Sequence, residues 1–419
     1  MASFYIPLTG LNADSTALNT IANDLSNMNT TGFKAQTVNF ADLFYQQIGS
    51  AGSGDPLQVG AGTQVASIST DFSNGSPSST GVDTNVALQG NGFFVVSDGS
   101  SQYLTRAGDF STDASGNLIT SNGLSVMGYP STNGVVNTNA SLTPVNIPEN
   151  QVLAPAATGK FNIAANLDST SAVGATFPAT VNIYDSLGQM HTATVTFTNT
   201  GVNTWGYSMQ IPAADTGGTA TPVTGTMTFD SSGNLATVNG TAVGTSVGQV
   251  STISVPINGL TDNASNLNMT WNLMGTSGKP TISQVDSTSA VSATTQDGYA
   301  SGQYQSFSIG SDGTVTVTFS NEQKLNVGQI ALGNVANLQG LRDAGNGDYA
   351  TTLASGTAAI GTSGSAGLGT MQGGALEASN VNISAEFADL IIAQRAFEAN
   401  SKSVTTFDTI TQETIQMIH

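Results

Sequence analysis

The sequence predicts a multidomain α+β protein in which a helix at each end of the chain flanks a long region of short β-strands. Three observations support this prediction. Apolar residues recur every seven positions near the N-terminus, and the same spacing returns near the C-terminus. Between them lie β-branched runs separated by turns rich in Asp, Ser and Gly. The first two patterns are typical of helices that bury one face, and the third is typical of antiparallel hairpins.

The N-terminal helix is expected over residues 7–31. Four apolar residues from Phe4 to Leu25 stand seven apart, and the last two of them are each followed by another apolar residue three positions later. This alternation of seven and three is the seam of a coiled coil. Gly32 follows the last turn, and glycine commonly ends a helix because it adopts a positive φ without strain. The expected seam residues of this helix are Phe4, Leu11, Leu18, Ile21, Leu25 and Met28.

The C-terminal helix is expected over residues 384–418, about 50 Å at 1.5 Å per residue. Its apolar residues again stand seven apart, and further apolar side chains widen the stripe. Asn382 or Ser384 can cap its start. Glu386 and Asp389 fall in the first turn, where the helix dipole favours anions. The expected seam residues of this helix are Ile383, Phe387, Leu390, Phe397, Val404, Phe407, Ile415 and Ile418.

The region between the helices is expected to be β-rich. Runs such as GFFVV and TVTVTF alternate with turns that place Asp, Ser and Gly in order. Asp and Ser bond their own backbone in such turns and Gly tolerates a positive φ, so hairpins are predicted. Two Gly-rich stretches with weak periodicity, residues 33–71 and 353–375, are interpreted as linkers or extended arms.

The composition argues against several classes of function. The 419 residues include 8 basic and 27 acidic side chains, giving a net charge of 8 − 27 = −19. This balance argues against sequence-independent nucleic-acid binding and against adsorption to an anionic membrane. The apolar runs are too short to span a bilayer, so no membrane insertion is expected. There is no cysteine for disulfides or thiolate chemistry. The first twenty residues lack the basic region and apolar run of a cleavable secretory signal, so none is expected.

No cluster of residues predicts catalysis, a cofactor or a metal site. The two histidines, His191 and His419, do not form a metal-ligand pair, and His191 is expected to be an exposed or half-buried strand residue. GTSVG at 244–248 matches the sequence pattern G-x-S-x-G of a nucleophile elbow, but the residues that follow it are typical of a strand, whereas the elbow needs a helix there. The carboxyl pair Asp109 and Asp113 flanks a turn and is a weak glycosidase candidate. A binding or structural protein is therefore expected rather than an enzyme.

Two apolar helices at opposite ends of the chain need a partner. The six seam side chains of the first helix represent roughly 10 kcal/mol of burial, and isolated helices are marginal in water. The helices are therefore expected to pair with each other, with copies of themselves, or with both. The alternative is that each helix packs on its own β body.

Several segments resemble the bacterial flagellar axial proteins, the family of rod, hook and hook-associated subunits. GLNADSTALNTIANDLSNMNTTGFKA (10–35) resembles the N-terminal signature of that family. LQGNGFFVV (88–96), together with residues 103–130, is similar to a segment shared by distal-rod and hook proteins. The resemblance spans nearly the whole chain. Three further segments resemble the hook proteins in particular: TVNIYDSLGQMHTATVTF (180–197), residues 325–352 and residues 374–404.

The resemblance implies a helical tube of many copies that joins a rod to a filament. The tube would bend while it transmits torque, as a universal joint. The C-terminal stripe of the seam would be exposed or disordered in the monomer and buried in the polymer; it consists of Ile383, Leu390, Phe397, Val404 and Ile418. The implied domains are a terminal coiled-coil domain that forms the inner tube (1–32 and 376–419), a linker or extended arm (33–71), a middle β domain (72–150 and 286–375) and an outer β domain inserted in it (151–285).

The resemblance also implies partners and a location. The chain would polymerise with itself and meet the distal rod protein, a hook cap and a hook–filament junction protein. Export by the flagellar type III apparatus would fit the missing signal and place the protein in the extracellular hook. Two alternatives stay open. A distal-rod subunit would lack the inserted region, and an extracellular β-rich adhesin or surface-layer protein would need a classical signal.

Overall fold

A computed structural model describes residues 4–44, 46–50, 56–218 and 221–417. The chain divides into two compact units, each with its own hydrophobic core. Among the described residues no helix combines the length and the apolar character needed to cross a membrane. The first unit comprises residues 1–149, 306–318 and 324–419, and the second comprises residues 150–305 and 319–323.

Two helices belong to the first unit: α1 spans Tyr5–Ser26 and α2 spans Ile383–Met417. The Asn382 side chain caps α2, because its Oδ1 accepts hydrogen bonds from the backbone N–H groups of Ser384 at 3.1 Å and Ala385 at 3.3 Å. α1 ends five residues earlier than predicted. Gly32 instead sits in the following turn with φ 66°, where an added Cβ would lie 2.6 Å from the Arg106 backbone.

The described part of the segment after α1, which was predicted to be a linker or an extended arm, forms a hydrogen-bonded β-ribbon. The strands β1 and β4 pair along their length in antiparallel fashion, as do β2 and β3. Most described side chains of β1, β3 and β4 are exposed or half-buried. Neither face of the ribbon therefore needs alternating apolar residues. For this reason the search for a period-two apolar pattern did not predict these strands. The strands are β1 (Gln36–Asp42), β2 (Gln46–Ser50), β3 (Pro56–Val59) and β4 (Thr63–Thr70).

The β body of the first unit is built around β7, the predicted GFFVV run. All five of its residues are buried, and it pairs antiparallel with β8 and β11. Phe93 and Val95 of this strand form a core with Leu104, Tyr129 and Tyr349. The strands of this part are β5 (Pro77–Ser79), β6 (Val86–Gln89), β7 (Phe93–Ser97), β8 (Gln102–Thr105), β9 (Ser111–Thr112), β10 (Leu118–Ile119), β11 (Ser125–Thr132), β12 (Val135–Val136) and β13 (Thr143–Pro144).

The second unit contains two sheets around one core. The strands β16 to β21 form a six-stranded antiparallel sheet in chain order, and β15 lies in a five-stranded mixed sheet. Both tryptophans of the chain, Trp205 and Trp271, are buried in this core. The strands are β14 (Val152–Leu153), β15 (Lys160–Asp168), β16 (Thr176–Tyr184), β17 (Met190–Gly201), β18 (Thr204–Gln210), β19 (Val223–Phe229), β20 (Leu235–Val238), β21 (Thr241–Ala242), β22 (Thr252–Ile257), β23 (Leu267–Asn272), β24 (Ile282–Val285) and β25 (Ala290–Gln296).

The chain returns to the first unit at residue 306, within β26, and residues 319–323 again belong to the second unit. The second Gly-rich stretch also contains strands: β33 pairs with β6 and β34 pairs with β5, so its interpretation as a linker is wrong. A short 3-10 helix spans Leu338–Gly340. The remaining strands are β26 (Gly302–Ile309), β27 (Thr314–Phe319), β28 (Lys324–Ile330), β29 (Leu332–Asn334), β30 (Arg342–Gly345), β31 (Asp348–Ala350), β32 (Ala359–Gly361), β33 (Thr370–Gly373) and β34 (Ala375–Glu377).

The predicted fold class, terminal helices with mainly antiparallel β units, is confirmed. One boundary differs from the implied domains. Residues 286–305 lie in the second unit and not in the middle domain. The reason is that β25 pairs antiparallel with β15 and so extends the sheet of the second unit.

Candidate assembly interface

The helices from the two ends of the chain pack against each other. The rings of Phe4 and Phe407 lie 6.1 Å apart, and Asn400 Nδ2 donates a 2.8 Å hydrogen bond to Asp14 Oδ2. An added Cβ on Gly10 would lie 2.6 Å from the Asn400 side chain, so glycine permits the close approach. The expectation that the two ends pair with each other is therefore confirmed within one chain.

The most buried face of α1 consists of small and polar residues. At four places a buried residue directly precedes a predicted seam residue, which rotates the buried face by about 100° from the predicted one. Ala17 next to Leu18 is one example. Leu11, Leu18, Ile21 and Leu25 are half-buried, whereas Phe4 and Met28 are exposed. The buried residues of α1 are Pro7, Gly10, Ala13, Ala17, Thr20 and Asp24.

The predicted seam of α2 divides into two groups. Leu390, Val404 and Phe407 are half-buried. The other described members are exposed, and Ile418 lies outside the described residues. A role of the seam in assembly remains a prediction. The exposed large apolar residues of α2 are Ile383, Phe387, Ile391, Ile392, Phe397, Ile410, Ile415 and Met417.

Three of these residues define what we call the apolar flank of α2: Ile383, Phe387 and Ile391. They stand four apart, so they lie along one side of the helix. Each is about half exposed, at 45%, 52% and 57%. A row of exposed large apolar side chains is typical of an interaction surface, because water solvates it poorly.

A buried ion triad connects the two helix ends to the β body of the first unit. Lys34 Nζ lies 2.7 Å from Glu377 Oε1, and Arg106 Nη1 lies 3.3 Å from Glu377 Oε2. All three side chains are at most 3% exposed. Burial lowers the pKa of Lys34 and of Arg106 below their ordinary values, while Glu377 counteracts part of that effect.

Backbone groups complete the triad. Glu377 Oε1 also accepts a hydrogen bond from the Gly75 N–H at 2.9 Å. Lys34 donates to the Ser73 carbonyl at 2.7 Å, and Arg106 donates to the Gly90 carbonyl at 2.9 Å. The triad joins the chain shortly after α1, shortly before α2 and at the β body. No local pattern predicts it, because Lys34 and Glu377 are 343 positions apart.

A second buried polar cluster surrounds His191 in the second unit. His191 Nε2 lies 3.0 Å from Asp185 Oδ2, and Nδ1 lies 3.0 Å from Asp215 Oδ2. A neutral imidazole carries only one N–H, so donating to both carboxylates requires the protonated ring. Asp262 Oδ2 lies 3.9 Å from Nε2, and the ligand atoms of Asp185, His191 and Asp262 are close enough to hold a cation. In the protonated ring both nitrogens donate hydrogen bonds to carboxylates, so neither nitrogen has a lone pair free to bind a metal ion.

The prediction that His191 is exposed or half-buried is wrong, since the residue is only 6% exposed. β17 alternates buried and exposed positions, and His191 shares the inward face with Ala193, Val195 and Phe197. That alternation is visible in the sequence and could have placed His191 inside.

The second unit is expected to lose stability as pH rises above neutrality. Burial disfavours the charged ring, but hydrogen bonds to Asp185 and Asp215 outweigh it and raise the pKa of His191. The stabilisation is therefore complete below the ordinary histidine pKa and is lost as pH rises through the folded-state value. Urea denaturation at pH 5.5 and 8.5, followed by fluorescence of the two tryptophans, measures this. His191→Gln should cost about 1–3 kcal/mol at pH 5.5 and remove most of the difference. A difference of equal size in His191→Gln would contradict the assignment.

Comparisons with known proteins agree along the chain. Relatives include the flagellar hook protein FlgE of Salmonella typhimurium, 35% identical over 97% of this chain and 98% of the relative. The FlgE of Treponema pallidum is 34% identical over 98% of both chains. The crystal structure of Helicobacter pylori flagellar hook protein FlgE2 aligns with a TM-score of 0.55 at 16% identity, covering 70% of this chain and 99% of that one, which shows a shared fold.

Four family descriptions match successive parts of the chain, from the first helix to the last. They are flagella basal body rod protein (4–34), flagellar hook protein FlgE/F/G D1 domain (87–201), flagellar basal body protein FlaE D2 domain (146–299) and flagellar basal body rod FlgEFG protein C-terminal (372–417). With full-length relatives above 30% identity, the chain belongs to the flagellar hook protein FlgE family.

Proposed function

We propose that this structural subunit of the flagellar hook polymerises through its terminal helices into a curved, flexible tube. The observation that carries the proposal is the apolar flank of α2, which stays exposed although α1 and α2 are already paired. Burying it between copies would stabilise the polymer at roughly 25 cal/mol per Å² of apolar surface. A surface of this kind on a subunit that meets its copies head to tail generates an open helical polymer when the rotation between copies does not close a ring.

The tube is further proposed to act as a universal joint that transmits torque while it bends. The separate core of each unit supports this, because contacts between copies of the second unit can change without disturbing the helices. We propose the division into inner, middle and outer domains on the same grounds, and we assign the protein no catalytic role.

The partners and location are proposed from family membership. The distal rod protein would lie at one end of the tube, with a hook cap during growth and a hook–filament junction protein afterwards. The flagellar type III apparatus would export the chain to the extracellular hook. A distal-rod subunit is the second candidate, since three of the family descriptions name rod proteins or proteins grouped with them. The match to the D2 domain over 146–299 favours the hook.

Electron microscopy tests the proposed polymer. Purified full-length protein at high concentration is expected to form short curved tubes in negative stain. Removing residues 385–419 deletes nearly all of α2 and should abolish the tubes, whereas tryptophan fluorescence should show an unchanged second unit. Tubes formed by the shortened chain would contradict the role of the helices.

A further inference from the structure

An acidic groove lies between α1, α2 and β1. Its volume is about 330 Å³, and Ala17 of α1 and Ala393 of α2 contribute to its apolar floor. Three carboxylates line it: Asp14 of α1, and Glu386 and Asp389 of α2. We call this site the acidic groove.

The carboxylates of the acidic groove are not balanced by cations of the same chain. Burial raises the pKa of Glu386, and the neighbouring charges of Asp24 and Asp389 raise it further. Asp24 does not line the groove, but it is fully buried and its Oδ1 has no hydrogen-bond partner among the described residues. In the part of the chain that the structure describes, no lysine or arginine lies within 4.0 Å of Asp14, Glu386 or Asp389. The site therefore favours a cation supplied from outside.

The basic residues of the helices do not line the acidic groove. α1 contains no lysine or arginine, and α2 contains only Arg395 and Lys402. At 100° and 1.5 Å per residue, Arg395 lies about 180° around α2 and about 13 Å from Glu386, and about 120° and 9 Å from Asp389. Among the described residues its charged partner within 4.0 Å is Glu398, which lies outside the acidic groove. Arg395 is 81% exposed, and its 3.8 Å contact with the exposed Glu398 is weak.

We propose that the acidic groove of one copy binds the Arg395 guanidinium of a neighbouring copy in the hook polymer. A guanidinium can donate to two carboxylates at once, and its aliphatic stem can lie on the apolar floor. Because Arg395 and the α2 carboxylates Glu386 and Asp389 lie about 120–180° apart around one helix, the contact joins different surfaces of the two copies and is heterologous. Such contacts do not close on themselves unless the rotation permits a ring, so they extend a helical array. The inference rests on the proposed polymerisation through the helices.

A charge exchange tests the contact. Glu386→Arg and Arg395→Glu should each raise the critical concentration for polymerisation about tenfold or more, measured by sedimentation of the full-length chain. The milder Glu386→Gln should raise it several-fold. The double variant Glu386→Arg, Arg395→Glu should return it close to the wild-type value, because the exchanged charges again attract. Circular dichroism verifies that the helices persist in each variant.

Glu413→Arg is the matched control, since it makes the same charge change at an exposed acidic residue of α2 outside the acidic groove. It should leave the critical concentration within about twofold. Unchanged polymerisation of Glu386→Arg, or a double variant no better than the single ones, overturns the inference while wild-type tubes persist. Absence of wild-type tubes would instead refute the proposed function.

Discussion

Replacing Glu377 by glutamine is expected to destabilise the first unit by about 3–5 kcal/mol, because it leaves two buried cations uncompensated. Lys34 and Arg106 are at most 3% exposed and both contact this carboxylate. Their other partners are the neutral oxygens of Ser73, Asn74 and Gly90, which cannot replace a negative charge. Urea denaturation followed by far-ultraviolet circular dichroism of the helices measures the loss.

Two comparisons make this result specific. Glu398→Gln removes the exposed carboxylate 3.8 Å from Arg395 and should change stability by less than about 0.5 kcal/mol. Tryptophan fluorescence should show an unaffected second unit, because Trp205 and Trp271 both lie there. A cost below 1 kcal/mol for Glu377→Gln would mean that water or relaxation compensates the two cations.

The consequence of the triad for function is geometric. It fixes the chain within eight residues of the end of α1 and within six residues of the start of α2. In the proposed universal joint, these short connections would be one route by which torque passes from the pair of helices to the β body. Buried charges specify one arrangement at this point, since any displaced arrangement leaves a charge unpaired. A substituted triad should therefore weaken the positioning of the helices as well as the stability of the unit.

Local periodicity predicted those parts of the fold that local physics determines. α2 was expected at 384–418 and spans Ile383–Met417, because a long apolar stripe, the Asn382 cap and an acidic first turn all favour the same helix. The buried β7 was likewise visible as an apolar run. In these segments each local preference agrees with the tertiary structure.

The features that the sequence patterns did not predict have causes other than a periodic stripe of large apolar residues. α1 buries Gly10 and Ala13, which a search for large apolar residues passes over, because close helix packing selects small residues as well as hydrophobic ones. The ribbon strands β1 and β4 have no apolar face to mark them. The ion triad and the acidic groove depend on residues more than 200 positions apart, so only the folded chain reveals them. The role of the seam in assembly is a prediction, and the polymerisation experiments test it.

The apolar flank of α2 is expected to control assembly strongly and monomer stability weakly. Phe387 and Ile391 are 52% and 57% exposed, so replacing both by serine removes little burial from the monomer. Burying the exposed halves of the two side chains in the polymer would contribute about 1–1.5 kcal/mol each. The double variant Phe387→Ser, Ile391→Ser should therefore raise the critical concentration about 100-fold, since 1.4 kcal/mol corresponds to tenfold. Sedimentation and negative-stain microscopy measure this.

The contrast with the half-buried residue Leu390 sharpens this expectation. Leu390→Ser removes an apolar side chain that the monomer already shields, so it should lower the free energy of unfolding of the first unit by about 1–3 kcal/mol. The flank variant should change that quantity by less than about 1 kcal/mol and still form no tubes at concentrations at which the wild-type chain polymerises. Tubes that form at the wild-type concentration in the flank variant would place the assembly contact elsewhere on the helices. A flank variant that unfolds would show that these side chains support the helix pair itself, and the exposure seen in one chain would then not mark an interface.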